Sequence, residues 1–191
     1  MKLDMIEIFK RFLNLFRSDT ELRVVREYYI WPFRKRCEYS FNKAGERHGT
    51  CQSWYDDGQL KERFEYVNSN RHGTYQSWHT NGHLLEQCEY MNGNRHGTYQ
   101  CWYNNGHLLE QYEYVNDCIH GIRERWTIDG SLCSIRQYDH GVLLLRVSFG
   151  DEVEIAIFPS ANFETTALVA QIISDLESRN KEYVLTHHTL K

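Results

Sequence analysis

The chain has 191 residues, 41% hydrophobic and 14% aromatic, with 22 Lys+Arg against 26 Asp+Glu and a formal net charge of −4. That length holds one domain, or one domain with appendages. The charge is divided, with 11 basic against 7 acidic groups in residues 1–47, 7 against 12 in 48–143 and 4 against 7 in 144–191, or +4, −5 and −3; so acidic a centre argues against nucleic acid as a partner, since phosphates demand a basic footprint.

The N-terminal stretch MKLDMIEIFKRFLNLF is interrupted by Asp4, Glu7, Lys10 and Arg11, so it lacks both the apolar core of a signal peptide and the span of a membrane helix. Residues 2–18 instead read as an amphipathic helix. Asp4, Glu7, Arg11, Asn14 and Ser18 form one stripe, and Ile8, Phe9, Phe12 and Phe16 lie opposite. Such a helix caps the fold, pairs with a copy of itself, or lies in a membrane interface with Lys2, Lys10, Arg11 and Arg17 near headgroups. The acidic centre opposes the membrane use, which is therefore the alternative. A lead-in strand completes residues 1–36.

From Cys37 onward the chain repeats itself. A frame of 24 residues aligns His48, His72, His96 and His120, then the glycines that follow them, then Trp54, Trp78, Trp102 and Trp126. The same frame aligns Gly58, Gly82, Gly106 and Gly130 and also Tyr66, Tyr90, Tyr114 and Tyr138. CEYSFNKAGERHG at 37–49 matches CEYMNGNRHG at 88–97 with three residues inserted, and the pattern ends after Leu143. A fixed period of this length means stacked supersecondary units. Residues 37–143 are thus half a unit plus four full ones.

Each unit has two turns. DDG, TNG, NNG and IDG end in Asn-Gly or Asp-Gly, a hairpin signal because both residues tolerate positive φ. The second turn, as in VNSNRHG, reads as a longer one closing on the Gly after the His. In the second strand Leu84, Glu86, Cys88 and Tyr90 share one side by alternation. A two-residue loop sets Tyr75 beside those leucines, whereas a three-residue loop with a bulge sets Trp78 there; the residues leave both open.

The motif Tyr-x-Asn-Gly-x-x-His-Gly at Tyr90–Gly97, its relatives from Tyr66 and Tyr114, and the Trp and Asn-Gly turn that follow resemble MORN repeats of the variant type found in bacterial and giant-virus proteins. Departures are Asp117 and Cys118 in one turn, and Ser134 and Arg136 in the last unit. The resemblance implies a mainly β fold, a single-layer antiparallel array of hairpins, used mainly for protein association and in some members for lipid binding.

Four aligned histidines invite a metal. Equivalent residues two strands apart lie about 9.6 Å from one another, whereas zinc binds nitrogen at about 2.0–2.1 Å, so the ladder cannot close on one ion. Cys51, Cys88, Cys101, Cys118 and Cys133 fall at five different phases of the repeat and no C-x-x-C pair occurs, which reads as reduced thiols in an intracellular, cytoplasmic setting. No G-x-S-x-G, H-E-x-x-H or phosphate-cradling loop occurs. The expectation is a protein that is not an enzyme and needs no cofactor.

After the array, LLLRVSF and EVEIAIF flank Gly150 and Asp151 as one further hairpin. Ser160 is placed to cap a helix running to about Ser178, with Leu168, Ile172, Ile173 and Leu176 on one face. That face covers the chain's own sheet or meets its twin in a homodimer. The candidate interaction residues are Trp54, Trp78, Trp102, Trp126, Tyr66, Tyr90, Tyr114 and Tyr138, and the candidate cap or dimer residues are Phe9, Phe12, Phe16, Leu168, Ile172, Ile173 and Leu176. The function expected is a scaffold for protein–protein association, with self-association foremost.

Overall fold

The computed structural model of the protein describes residues 22–30, 33–150, 152–161, 163–178 and 183–187. The expected N-terminal helix, with Phe9, Phe12 and Phe16, lies outside the described residues. The described residues are mainly β, a sheet of antiparallel hairpins whose strands, one two-residue strand apart, are hydrogen-bonded in chain order. Two compact units divide the chain, one running to His83 and including Tyr90–Gly93, the other comprising Leu84–Glu89 and the residues from Asn94 on.

In the first unit, strands β1 (Arg23–Tyr28), β2 (Lys35–Phe41), β3 (Gly49–Trp54), β4 (Leu60–Val67) and β5 (Asn70–Trp78) pair successively. The Asp-Gly turn has three residues. Tyr55 N donates to Gln59 O at 2.9 Å, and Gly58 N donates to Tyr55 O at 3.0 Å. Only Gly58 has positive φ there, at 92°. This is a turn with one left-handed residue at its end, where Gly meets no Cβ penalty.

The two-residue turns sit at the other punctuation point. Val67 opposes Asn70 with Asn68 and Ser69 between them at φ 48° and 66°. Asn116 and Asp117 in the second unit repeat that geometry at 51° and 64°. Consecutive left-handed residues match the twist of the flanking strands. The His-Gly pair, expected to close this turn, instead lies inside the next strand. Glu65 opposes His72 and Arg63 opposes Gln76, so Gly73, Thr74 and Tyr75 stand against Phe64 alone, and the strand bulges at Gly73.

The second unit contains β6 (Leu84–Met91), which carries two residues of the first, then β7 (Asn94–Arg95), β8 (Gly97–Trp102), β9 (Leu108–Val115), β10 (Cys118–Trp126), β11 (Leu132–Asp139), β12 (Val142–Phe149) and β13 (Val153–Ile157). The hairpin expected around Gly150 is β12 with β13, paired antiparallel. A helix, α1 (Phe163–Ser178), follows, and β14 (Tyr183–His187), which the sequence did not announce, returns parallel to β13. A parallel return requires a crossover, and α1 supplies it. The helix begins at Phe163, so Ser160 lies in the preceding turn rather than at its cap.

The densest packing is here. Leu145, Val147 and Ile155 are completely buried with Val153 and Val169 near them, and Leu168, Ile172 and Ile173 pack against that cluster. Of the two uses expected for the helix face, covering its own sheet is the one these three residues serve; Leu176 is carried by the same helix.

Candidate functional site: the aromatic and arginine face

Pairing across the hairpins sorts the repeated residues. Cys51 opposes Phe64 and Gly49 opposes Tyr66, while Trp54 opposes Leu60 and Ser53 opposes Glu62, leaving Lys61 as an extra residue between them. Trp102 with Leu108 and Trp126 with Leu132 repeat the step at Leu109 and Cys133. The three-residue loop with a bulge thus prevails and Trp meets Leu. The same bulge corrects the expectation that the leucine shares the side of the Glu, Cys and Tyr that follow it, because one extra residue reverses the alternation. Tyr66 and Trp54 consequently belong to opposite faces.

On the tyrosine face of the first unit, Phe64 meets the rings of Tyr66 and Tyr75, with centroids 5.4 and 6.0 Å apart. Arg71 lies over both Phe64 and Tyr90 at 5.2 and 5.3 Å, and donates to the Tyr90 hydroxyl at 3.2 Å. Arg47 lies between Tyr39 and Tyr66. Arg71 is half-buried and Arg47 exposed, and each lies over rings, where a weakly hydrated guanidinium gains from the aromatic quadrupole.

The second unit repeats the arrangement with more burial. Tyr99 stacks on Tyr112 with centroids 4.6 Å apart, and Tyr99 donates to Glu86 at 2.9 Å. Burial foremost, then the neighbouring acidic groups, raises the phenols of both Tyr99 and Tyr112 well above the ordinary range. Tyr114 is only 6% exposed, so it serves as core rather than as a protruding anchor. Tyr66, Tyr90, Tyr138 and all four repeat tryptophans are half-buried. Cys101 is pushed up to about 11, chiefly by burial, and stays a neutral thiol at pH 7.

The last repeat changes the chemistry of this face. Where earlier units place Cys51, Tyr75 and Tyr99 the chain has Arg123, and where they place Phe64, Cys88 and Tyr112 it has Arg136. Arg123 directly opposes Arg136, and Arg136 directly opposes Arg146 on the next strand. Arg123 is neutralised by Glu110 at 2.6 Å and lies over the Tyr112 ring at 5.1 Å. Among the described residues, Arg136 and Arg146 have no such carboxylate, and the buried Nε of Arg136 has no hydrogen-bond partner. Like charges directly opposite one another disfavour the sheet unless an anion joins them. The sequence shows Arg136 only as a departure from the repeat motif, and nothing local sets it beside Arg123 and Arg146.

The model described as the MORN repeat variant matches residues 47–68, 71–92 and 95–116. No curated protein matches. Among solved structures, the chain is similar to a TarM mutant from S. aureus in complex with fondaparinux, alpha-GlcNAc-glycerol and UDP, at 16% identity and a TM-score of 0.35 over 61% of this chain and 23% of that one. It is also similar to a GtfA/B complex bound to UDP and GlcNAc, at 10% identity and a TM-score of 0.27 over 75% of this chain and 34% of that one. This chain thus spans 23% and 34% of their lengths, and likeness at those scores says nothing of activity.

Proposed function

Starting from residues 47–116 being MORN repeats of the variant type, we propose that this chain is a non-enzymatic scaffold that binds protein through its tyrosine and arginine face. MORN repeats commonly serve protein or membrane interaction. The observation that carries the finer reading is the row Arg123, Arg136 and Arg146, on three neighbouring strands beside Tyr112, with one carboxylate among them. Guanidinium groups bind carboxylates through paired, charge-assisted hydrogen bonds. The partner segment is therefore acidic.

The partner we propose is a second copy of this chain, whose residues 48–143 carry a net −5. Glu65, Glu89 and Glu113 recur there and are exposed. The setting we propose is intracellular and cytoplasmic, in keeping with cysteines that are all free. No helix among the described residues is long and apolar enough to cross a membrane.

Light scattering after size exclusion tests this reading. At micromolar concentration the expected mass is about twice 22.9 kDa, returning to one chain in Arg136→Glu/Arg146→Glu or in high salt. A wild-type chain that stays monomeric at every concentration removes self-association. Pull-down with the intact chain then finds a different acidic protein, or salt-resistant binding to anionic vesicles replaces the scaffold with a membrane protein.

A further inference from the structure

The four-histidine ladder does not converge, but a fifth histidine joins its last member. We propose that His120, Asp139 and His140 bind a divalent transition-metal ion, with zinc the best match to two imidazoles and one carboxylate.

The three residues each offer a ligand atom within 4.8 Å of the other two. Asp139 Oδ1 lies 3.4 Å from His120 Nδ1 and 2.5 Å from His140 Nδ1, and the two rings are 4.8 Å apart. Ligands around tetrahedral zinc at about 2.0–2.1 Å stand roughly 3.3 Å from one another. The His120–Asp139 separation already equals that spacing. The shorter His140–Asp139 separation is that of a hydrogen bond, and a bound metal takes its place and moves the pair apart by under about 1 Å. His140 and Asp139 are both exposed, so their side chains have room to adjust.

The backbone beneath is fixed. His140 and Gly141 occupy a two-residue turn at φ 45° and 87°. Gly141 N donates to Ile119 O at 2.7 Å, which ties the turn to the strand carrying His120. Turns of the earlier repeats hold the same backbone with Val67–Asn68, Met91–Asn92 and Val115–Asn116 at these positions. Only the last turn exchanges an apolar residue and an asparagine for Asp and His. Both exchanges introduce metal ligands, and both fall beside a histidine already present. Glu113 opposes His120 across the strands and adds negative charge without belonging to the cluster. Three protein ligands leave a position for water or for a ligand from a partner.

The test is calorimetric titration of zinc chloride into the intact, reduced chain and into His140→Asn and Asp139→Val, which restore residues of the earlier turns. Because Asn holds the same conformation in those turns, both variants keep the fold, checked by circular dichroism. The expected result is micromolar binding in the natural chain, weakened at least about tenfold in each variant, as even outer-shell losses weaken metal sites. Cobalt(II) separates this site from the six cysteines: its visible bands appear without thiolate charge transfer and fade in His140→Asn. Equal isotherms in the natural chain and His140→Asn, no binding up to millimolar zinc, or cobalt spectra carried entirely by thiolate each overturn the proposal and leave the cluster as hydrogen-bonded His and Asp side chains.

Discussion

The hydroxyl of Tyr55 donates to the backbone carbonyl of Trp78 at 2.7 Å, joining the turn of one repeat to the strand end of the next. Tyr29 with the carbonyl of Trp54 and Tyr103 with that of Trp126 make the same bond at 2.8 and 3.0 Å. Three of the four aligned tryptophans, Trp54, Trp78 and Trp126, thus mark where one unit is fastened to the next through its main chain. Tyr55→Phe, which keeps the ring and deletes the donor, is expected to cost about 1 kcal/mol, as is Tyr103→Phe, and the two losses add because they share no partner. Urea midpoints that stay at the natural value in both variants contradict a fastening role.

A larger loss is expected in the C-terminal core. Leu145 is completely buried among Val147, Ile155 and Val169. Leu145→Ala removes its contacts and leaves a cavity, for a loss of about 2–5 kcal/mol. Thermal melting measures it, and a loss below about 1 kcal/mol means that α1 does not cover this cluster in solution.

Glu38 makes stability depend on pH in a calculable direction. Burial pushes its carboxyl up, but hydrogen bonds from Arg26 at 2.6 Å and Lys35 at 3.1 Å prevail and hold it below its usual 4.5. A carboxyl lowered by folding contributes stability that is fully present above its unfolded value and lost as pH falls through the folded one. The natural chain should therefore exceed Glu38→Gln in urea midpoint at pH 7, with the gap closing below about pH 4.5. A gap that persists unchanged at pH 3 refutes the linkage.

Thiol reactivity reports the burial of the repeat face. Cys118 is exposed, whereas Cys51, Cys88 and Cys101 are 8%, 3% and 7% exposed. The thiolate is the reactive species, so burial that raises Cys51 and Cys101 slows them twice, by access and by charge. Mass spectrometry after brief alkylation at pH 7.5 should find Cys118 modified first and those three only after denaturation. Early modification of Cys101 contradicts the packing described here.

The repeat frame, the two strands of each unit and the hairpin and helix that follow are legible in the order of the amino acids. Those follow from local chemistry: alternation every second residue, Gly after Asp or Asn where a left-handed residue is required, and an apolar stripe at helical spacing. Which face each side chain joins is set by strand pairing. One extra residue at Lys61 carries Leu60 to Trp54 and away from Phe64, and a bulge of that kind depends on pairing with a partner strand, which periodicity alone does not encode. The same holds for the candidate sites. Arg123, Arg136 and Arg146 are 10 to 23 residues apart in the chain, and His120 is 20 from His140; antiparallel pairing and the tie from Gly141 to Ile119 bring them together. Their proximity is a property of strand register, so no local motif announces it.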